Sequence, residues 1–281
     1  MRVGAVVFLH GSGDTGDGIR QYLNFIAGGK FPRACSEQGV TLLTPTAKPR
    51  PYQLAGGQMS SVWFDRYGLE PTSREHTESI VDSCERLDST IDSLVAEGIP
   101  AERIAVGGFS MGGGISLQLA FRSRHKIGAV FALSSFMNEG AAAYDQLQSN
   151  SSLPRPPMFI RHGAADDFIL PRWGQATAQR LTALGVDVDF ATVPHLRHEL
   201  ADSEIDELCA WLFPKITGSG DADGLLRQRV ELDGLQKKPA LNGQCGVAEE
   251  FDASTGRFAV KLDSGEWIAV KADNLRVVGG G

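Results

Sequence analysis

Ser110 lies in the segment Gly108-Phe-Ser-Met-Gly112, which has the GxSxG spacing of a nucleophilic serine. An apolar run ends just before this segment, and a helical pattern begins at Met111. In such an elbow the serine backbone is strained, and glycine neighbours let the strand and the helix pass close together. The hydroxyl would project from the end of the strand, and the backbone N–H of Met111 would face a developing oxyanion. Taken alone, the motif also fits an ordinary glycine-rich turn.

A serine hydroxyl is a weak nucleophile at neutral pH, so it needs a histidine base and a carboxylate behind that base. In hydrolases with this elbow, the acid and then the histidine follow the serine, each on a loop after a later strand. That order leaves His195 and His198. We favour His198, because it lies farther beyond the strand and its ring can turn back over the sheet edge; we interpret His195 as a surface residue. The order sets aside His10, His76, His125 and His162.

The acid is expected in the loop that runs from Arg161 to Pro171, after the preceding strand. Two neighbouring carboxylates, Asp166 and Asp167, compete for the role. Only one of them can face the histidine, and the other would be a solvated loop residue or a helix cap. Position favours Asp166 only slightly, so the spacing leaves the choice open.

A glycine-rich loop, His10 to Gly18, follows the first apolar run. A phosphate-binding loop is the competing interpretation, but no Gly-Lys-Ser or Gly-Lys-Thr closes the segment. The dinucleotide pattern GxGxxG at Gly11, Gly13 and Gly16 has no acidic residue at the end of a second strand to support it. We therefore expect the backbone amide of Ser12 to be a second oxyanion donor.

The elements that must hold these residues alternate along residues 1–216, which we expect to be a catalytic domain. Short, continuously apolar runs predict strands that are covered on both faces of a mostly parallel sheet. The longest helical periodicity runs from about Glu75 to Ala96, and three further helices are predicted from Met111, over Trp173 to Leu184, and from Asp202 to Phe213, closed by Pro214. The predicted strands are Ala5 to Leu9, Val40 to Thr44, Ile104 to Gly107, Ala129 to Leu133, Met158 to Arg161 and Val188 to Val193.

Composition changes at residues 217–224, a small and polar stretch that we interpret as a linker. Residues 225–281 show no helical period, and turn signals separate their short apolar runs. We expect a small antiparallel β-barrel there. Its strands are predicted at Arg229 to Leu232, Cys245 to Phe251, Arg257 to Leu262, Trp267 to Val270 and Leu275 to Val278.

Six motifs in order give the first region a resemblance to a known family. They are Leu9-His-Gly-Ser-Gly-Asp-Thr-Gly, Thr44-Pro-Thr-Ala, Trp63-Phe-Asp, Gly107-Gly-Phe-Ser-Met-Gly-Gly, His162-Gly-Ala-Ala-Asp and His198-Glu-Leu. Together they resemble the acyl-protein thioesterase and lysophospholipase family. Val62-Trp-Phe-Asp-Arg and Phe131-Ala-Leu-Ser-Ser-Phe look closest to its lysophospholipase-like branch. The resemblance covers roughly residues 3–213 and implies an α/β-hydrolase fold.

The resemblance also implies roles for single residues. Ser110 would be the nucleophile, Asp166 the acid and His198 the base. Ser12 and Met111 would supply the oxyanion amides. Trp63 corresponds to a tryptophan near the acyl site of such enzymes, although it could equally be a core residue. Thioesterases of this family commonly have Gln where Met111 stands, so substrate preference need not carry over.

The second region resembles small SH3-like modules that have a Leu-Asn-Gly motif, here at Asn242, and a closing Asn-Leu-Arg, here at Asn274. This match carries no activity with it. Because the region has no excess of basic residues, a peptide-binding or structural role is expected before RNA binding.

The charge and the cysteine positions of the sequence argue against several classes of partner and site. The formal net charge is -7 and no long run of one sign is present, which argues against nucleic acid and anionic membranes as partners. The four cysteines are far apart and predict reduced thiols rather than a disulfide framework or a zinc site. We expect a cytoplasmic protein without an export signal or a membrane span.

The leading hypothesis is hydrolysis of an acyl ester or thioester through an acyl-enzyme, without a metal or other cofactor. The alternative is a non-catalytic binding protein that keeps the hydrolase fold and recruits a protein partner through its C-terminal barrel. Acyl transfer to an acceptor other than water would use the same residues.

Overall fold

The computed structural model describes residues 2–218, 225–252 and 255–278. The described chain divides into two compact units, residues 2–212 and a unit that begins at Phe213, within the last helix of the first region. The predicted linker, residues 217–224, lies mostly outside the described residues. Thr217 itself is the last residue of that helix.

The first unit is built around a six-stranded parallel sheet in the order β2-β1-β5-β6-β7-β8. Each predicted strand of this region is present, with ends that differ by at most two residues. The strands of the unit are β1 (Gly4–Leu9), β2 (Val40–Leu43), β3 (Pro49–Tyr52), β4 (Gln58–Ser61), β5 (Ile104–Phe109), β6 (Ala129–Leu133), β7 (Met158–Gly163) and β8 (Val188–Val193).

Helices flank this sheet, and the fold is the expected α/β-hydrolase fold. The four central strands β1, β5, β6 and β7 are almost completely buried, as their continuous apolarity predicts. The helices are α1 (Gly16–Phe25), α2 (Lys30–Glu37), α3 (Thr77–Ala96), α4 (Met111–Leu119), α5 (Ala142–Ser149), α6 (Pro171–Ala183) and α7 (Asp202–Thr217).

Strands β1, β5, β7 and β8 all run in the same direction, so their carboxyl ends meet at one edge of the sheet. The loops that follow these four strands carry every residue that the sequence predicts for the active site except Trp63. The fold therefore brings together side chains that are up to about 186 positions apart, from Ser12 to His198.

Three features differ from the sequence-based expectation. Residues 49–61 contain an antiparallel hairpin of β3 and β4, where the sequence predicted no strand. Helix α7 continues through Pro214 to Thr217, although we expected that proline to end it. Three shorter helices, α1, α2 and α5, also had no counterpart in the prediction.

The C-terminal unit contains an antiparallel five-stranded sheet in the order β12-β11-β10-β9-β13. Its own apolar cluster includes Val230, Leu232, Phe258 and Val260, each with 0 % exposure. The predicted all-β character of this region is confirmed. Its strands are β9 (Arg229–Leu232), β10 (Cys245–Asp252), β11 (Arg257–Leu262), β12 (Trp267–Lys271) and β13 (Leu275–Val277).

The cysteines are free thiols, as expected, and three of them are buried. Burial raises the pKa of Cys35 and of Cys84 to about 12, so neither is a thiolate at neutral pH. In the part of the chain that the structure describes, no helix is both long enough and apolar enough to cross a bilayer.

Candidate active site

Ser110 stands between the end of β5 and the start of α4, with a backbone φ of 54° and ψ of -120°. A non-glycine residue in this conformation stores about 1–3 kcal/mol of strain. Two hydrogen bonds hold it there: the Ser110 N–H donates to the carbonyl of Leu133 at 2.8 Å, and the Ser135 hydroxyl donates to the carbonyl of Ser110 at 2.7 Å.

The glycines on either side of the serine have a steric reason to be glycines. A Cβ atom added to Gly108 or to Gly112 would lie 2.2 Å from the carbonyl oxygen of Leu9, which is backbone and cannot swing away. The elbow therefore packs directly against the end of β1. This contact brings the loop after β1 next to Ser110.

His198 lies between Ser110 and Asp166. Its Nε2 is 3.0 Å from the Oγ of Ser110, and its Nδ1 is 2.7 Å from Oδ2 of Asp166. Because the Asp166 carboxylate accepts from Nδ1–H, Nε2 is left as the acceptor that faces the hydroxyl. The rings of Phe109 and Phe168 pack against the imidazole, with centroids 4.8 and 5.1 Å away.

Asp166 is 3 % exposed and is fixed from several sides. Its Oδ1 accepts from the backbone N–H groups of Phe168 and Ile169, at 3.0 and 2.9 Å. A second ring, that of His162, lies 3.4 Å from Oδ2 and donates from Nε2 to the carbonyl of Ile169 at 2.7 Å. Burial lowers the pKa of His162, which keeps that ring neutral.

The two residues that compete with these in the sequence lie elsewhere. Asp167 is exposed and forms an ion pair with Arg197 on the surface. His195 is exposed, with a positive φ of 62°. The structure therefore brings Asp166 and His198, and not their neighbours, to Ser110.

The two predicted oxyanion amides belong to Ser12 and Met111. Met111 is the first residue of α4, so its N–H has no carbonyl partner within the helix. The loop of Ser12 lies beside the elbow, since a Cβ on Gly11 would be 3.5 Å from the Cβ of Ser110. The hydroxyl of Ser12 donates to the Sδ of Met111 at 3.6 Å.

Trp63 lies under the glycine-rich loop and not in the cavity beside Ser110. It is 4 % exposed, and its Nε1–H donates to the carbonyl of His10 at 2.9 Å. Nε2 of His10 in turn accepts from the N–H of Ala47 at 3.0 Å, and burial lowers its pKa. These contacts support a role for Trp63 in holding the loop that carries Ser12.

A cavity of about 320 Å³ opens beside Ser110. Its walls are mainly apolar and include Leu54, Leu69, Phe136, Phe168 and Ile169, together with the buried residue Arg66. The sequence analysis assigned no role to these residues. Arg66 is the last residue of the Val62-Trp-Phe-Asp-Arg motif, and that motif alone gives no sign that its arginine is buried beside Ser110. Among the described residues, no group of three His, Cys, Asp or Glu side chains is arranged to hold a metal ion.

Comparisons with known proteins identify the family of this chain. The sequence profile of the phospholipase/carboxylesterase family matches residues 2–213. Lysophospholipase-like protein 1 of Mus musculus is 38 % identical over 217 residues, which are 77 % of this chain and 89 % of that protein. Acyl-protein thioesterase 1 of Debaryomyces hansenii is 30 % identical over 204 residues, which are 72 % of this chain and 86 % of that protein.

A solved structure has the same fold. The crystal structure of acyl-protein thioesterase 2 of Zea mays matches 77 % of this chain and 95 % of its own chain, with a TM-score of 0.65 and 26 % sequence identity. The profile match covers the whole six-stranded sheet and every loop that carries a predicted site residue. The chain therefore belongs to the phospholipase/carboxylesterase family of hydrolases.

Proposed function

We propose that this chain is a serine hydrolase that cleaves acyl esters or thioesters, with Ser110 as the nucleophile, His198 as the base and Asp166 as the orienting acid. One observation carries the proposal: the imidazole of His198 spans the distance between the serine hydroxyl and a buried carboxylate, at 3.0 and 2.7 Å. This is the geometry that activates a serine hydroxyl at neutral pH.

In the first half of the reaction, the Oγ of Ser110 forms a bond to the carbonyl carbon of the substrate while its proton passes to Nε2 of His198. The carbonyl oxygen becomes an oxyanion that faces the N–H groups of Ser12 and Met111. When the intermediate collapses, the bond to the alcohol or thiol breaks, and the leaving group takes the proton from Nε2. The acyl group stays on Ser110.

In the second half, a water molecule gives a proton to Nε2 of His198 and adds its oxygen to the acyl carbon. The bond between that carbon and Oγ then breaks, and Ser110 recovers the proton as the acid leaves. The buried Asp166 carboxylate stabilises the imidazolium that forms in both halves. In the net reaction, water cleaves an ester into an acid and an alcohol, or a thioester into an acid and a thiol.

The cavity supports acyl groups of short to medium length. At about 320 Å³ it lies at the small end of the roughly 300–1,000 Å³ range of ligand pockets. The names of the two relatives suggest acylated proteins or lysophospholipids as alternative substrates. A chain-length series of esters and thioesters measures which acyl length and which of the two bond types the enzyme prefers.

We also propose the domain division for this chain: a catalytic domain over residues 1–216, a linker over 217–224 and a small SH3-like barrel over 225–281. The antiparallel order of strands β9 to β13 and the separate apolar cluster support this division. The role that we propose for the barrel is to bind a protein partner.

The test of the proposed reaction is the hydrolysis of 4-nitrophenyl acetate and of an acyl thioester by the wild type and by Ser110→Ala. We expect kcat to fall by at least about 10³-fold in the variant, with an unchanged circular dichroism spectrum. Ser93→Ala, which changes an exposed serine on α3, is the matched control and should keep the wild-type rate. Wild-type turnover by Ser110→Ala would overturn the proposal.

A further inference from the structure

Arg66 places a cation in the cavity beside Ser110. The residue is only 6 % exposed, and it lines the same cavity as Ser12, Ser110 and Met111. Burial lowers the pKa of Arg66 to about 10, which still leaves it charged at neutral pH. A charge removed from water in this way is costly unless a partner compensates for it.

No carboxylate of the described residues is paired with this guanidinium. Asp65 uses Oδ1 for the backbone N–H groups of Gln53 and Arg66, and Oδ2 for the side-chain amide of Gln53. Glu75 accepts from the amide of Gln118 and from the N–H of Ala142, so its charge acts on Arg66 without a hydrogen bond, and burial raises its pKa. The Nη1 atom of Arg66 is buried and has no hydrogen-bond partner among the described residues.

Another buried arginine of the same unit, Arg161, forms the ion pairs that usually compensate for a buried guanidinium. Arg161 is 7 % exposed, and its guanidinium is bound by Asp189 at 2.9 Å and by Glu207 at 2.7 Å. The guanidinium of Arg161 also donates to the backbone carbonyls of Ile160 and Asp189. Arg66 has a similar degree of burial without any such ion pair, so its charge is compensated less completely within the fold than that of Arg161.

Two aromatic rings hold the Arg66 side chain in place. Its central guanidinium carbon lies 4.6 Å from the ring centroid of Phe64 and 4.9 Å from that of Phe136. Cation–π contacts of this kind orient the guanidinium and offset part of its desolvation, but they do not satisfy its N–H groups. The guanidinium is therefore already oriented before a ligand enters.

A second buried polar group in the cavity also lacks a partner. The hydroxyl of Ser134 has 0 % exposure and no hydrogen-bond partner among the described residues, and it lines the same cavity. A buried donor that is left unpaired costs roughly 1–3 kcal/mol. The wall of the cavity therefore includes two residues, Arg66 and Ser134, that each have a polar atom without a hydrogen-bond partner among the described residues.

We propose that Arg66 is a specificity-determining residue that binds a carboxylate of the substrate, so that the enzyme prefers small esters or thioesters that carry a negative charge close to the scissile bond. A single carboxylate bound in this cavity balances the single positive charge of Arg66, because Arg66 is one of the residues that line it. This inference rests on the proposed function, since it names the substrate class of the same site.

The carboxylate of the substrate can belong to the acyl group or to the leaving group. Two pairs of substrates distinguish these positions, and each pair compares a charged ester with a neutral one. The acyl pair is the mono-4-nitrophenyl ester of glutaric acid and the neutral 4-nitrophenyl pentanoate. The leaving-group pair is 4-acetoxybenzoate and the neutral 4-acetoxybenzamide. For each pair, the ratio of kcat/KM for the charged and the neutral ester is measured with the wild type, Arg66→Met, Arg66→Lys and the exposed control Arg86→Met.

We expect the wild type to prefer the charged ester at least tenfold in one pair, and that pair identifies which side of the substrate Arg66 contacts. In Arg66→Met this ratio should fall by about 30-fold or more, because the charge pair is lost in a desolvated site. Arg66→Lys should retain part of the preference, and Arg86→Met should behave as the wild type. Free glutarate should inhibit the wild type competitively, and Arg66→Met much more weakly.

The inference is overturned if the wild type prefers the charged ester in neither pair, or if Arg66→Met keeps the wild-type ratio. The wild-type measurement decides this even if a variant fails to fold. Failure of the proposed function looks different, because no ester of either pair would be turned over in a way that depends on Ser110. Turnover that depends on Ser110 but shows no charge preference removes only the role of Arg66.

Discussion

At the scale of single residues, the ring of His198 is the centre of the candidate site, and the side chains around it set its orientation. It contacts the Ser110 hydroxyl on one side and the Asp166 carboxylate on the other, and two phenylalanine rings fix its plane. Asp166 is in turn fixed by two backbone N–H groups. Each member of the set therefore has its orientation determined by a neighbour, which is what general-base activation of a serine requires.

A neighbouring histidine provides a matched control for His198. We expect His198→Ala to lower kcat for 4-nitrophenyl acetate by at least about 10³-fold, because Ser110 then has no base. His195→Ala should leave the rate within about twofold, since His195 is exposed and three residues away in sequence. Equal losses in the two variants would mean that the base has been assigned to the wrong residue.

Glu204 predicts a pH dependence of stability. Burial in α7 raises the pKa of its carboxyl from the ordinary 4.5 to about 8, and the N–H of Ala201 offsets this only in part. Between these values the folded chain binds more protons than the unfolded chain, so the contribution of Glu204 to the free energy of unfolding is lost as the pH rises from about 4.5 to about 8. Above pH 8 this contribution no longer changes.

Glu204→Gln removes this titration. We expect the variant to exceed the wild type in free energy of unfolding by about 3–5 kcal/mol at pH 9, and by little at pH 4.5. Urea unfolding at one-unit steps across this range measures the difference. Glu85→Gln, an exposed carboxyl on α3, should follow the wild-type curve. A parallel pH curve for Glu204→Gln would show that this carboxyl is already ionised in the folded chain.

The sequence predicted the nucleophile and the base candidates, but it distinguished the acids only through a family resemblance. Asp166 and Asp167 are neighbours, and which of them points inward depends on the turn after β7, where the Oδ1 atom of Asp166 accepts two backbone N–H groups. Arg66 had no role in the sequence analysis. An arginine is usually exposed, and its burial in the cavity is visible only in three dimensions.

At the scale of elements, the elbow depends on close packing of β5 and α4 against the end of β1. No side chain fits at Gly108 or Gly112, where these elements meet. We expect Gly112→Ala to destabilise the chain by about 1–3 kcal/mol and to slow fluorophosphonate labelling strongly, since the new Cβ would meet the backbone of Leu9 and His10. Thermal unfolding and the labelling rate measure both effects.

Gly140→Ala is the control for this change, because a Cβ at Gly140 meets nothing within 4 Å. Its stability and labelling rate should equal those of the wild type. Full labelling of Gly112→Ala at unchanged stability would contradict the close packing that we ascribe to the elbow.

The strands of the central sheet could be predicted because both of their faces are buried, which leaves continuous apolar runs in the sequence. The hairpin of β3 and β4 could not, because Pro49–Tyr52 and Gln58–Ser61 are short, mostly polar and largely exposed. The predicted end of α7 was also wrong, because the prediction relied on Pro214 to end the helix. A proline usually ends a helix, yet the helix continues for three residues beyond Pro214, to Thr217, through the buried Ile216.

At the scale of the whole molecule, the family match and the C-terminal module occupy different parts of the chain. The family profile ends at residue 213, and the Zea mays structure is matched over 95 % of its length by 77 % of this chain. Turn signals and the loss of helical period predicted the all-β character of the second region from sequence. What the module binds does not follow from its strands, since a fold of this kind serves many functions.

Mapping the adduct of a fluorophosphonate probe by peptide mass spectrometry tests the central claim most directly. The account predicts one adduct per chain, on Ser110, which disappears in Ser110→Ala and forms at least about 10³-fold more slowly in His198→Ala. No adduct on the folded wild type, or an adduct on another residue that persists in Ser110→Ala, would contradict it.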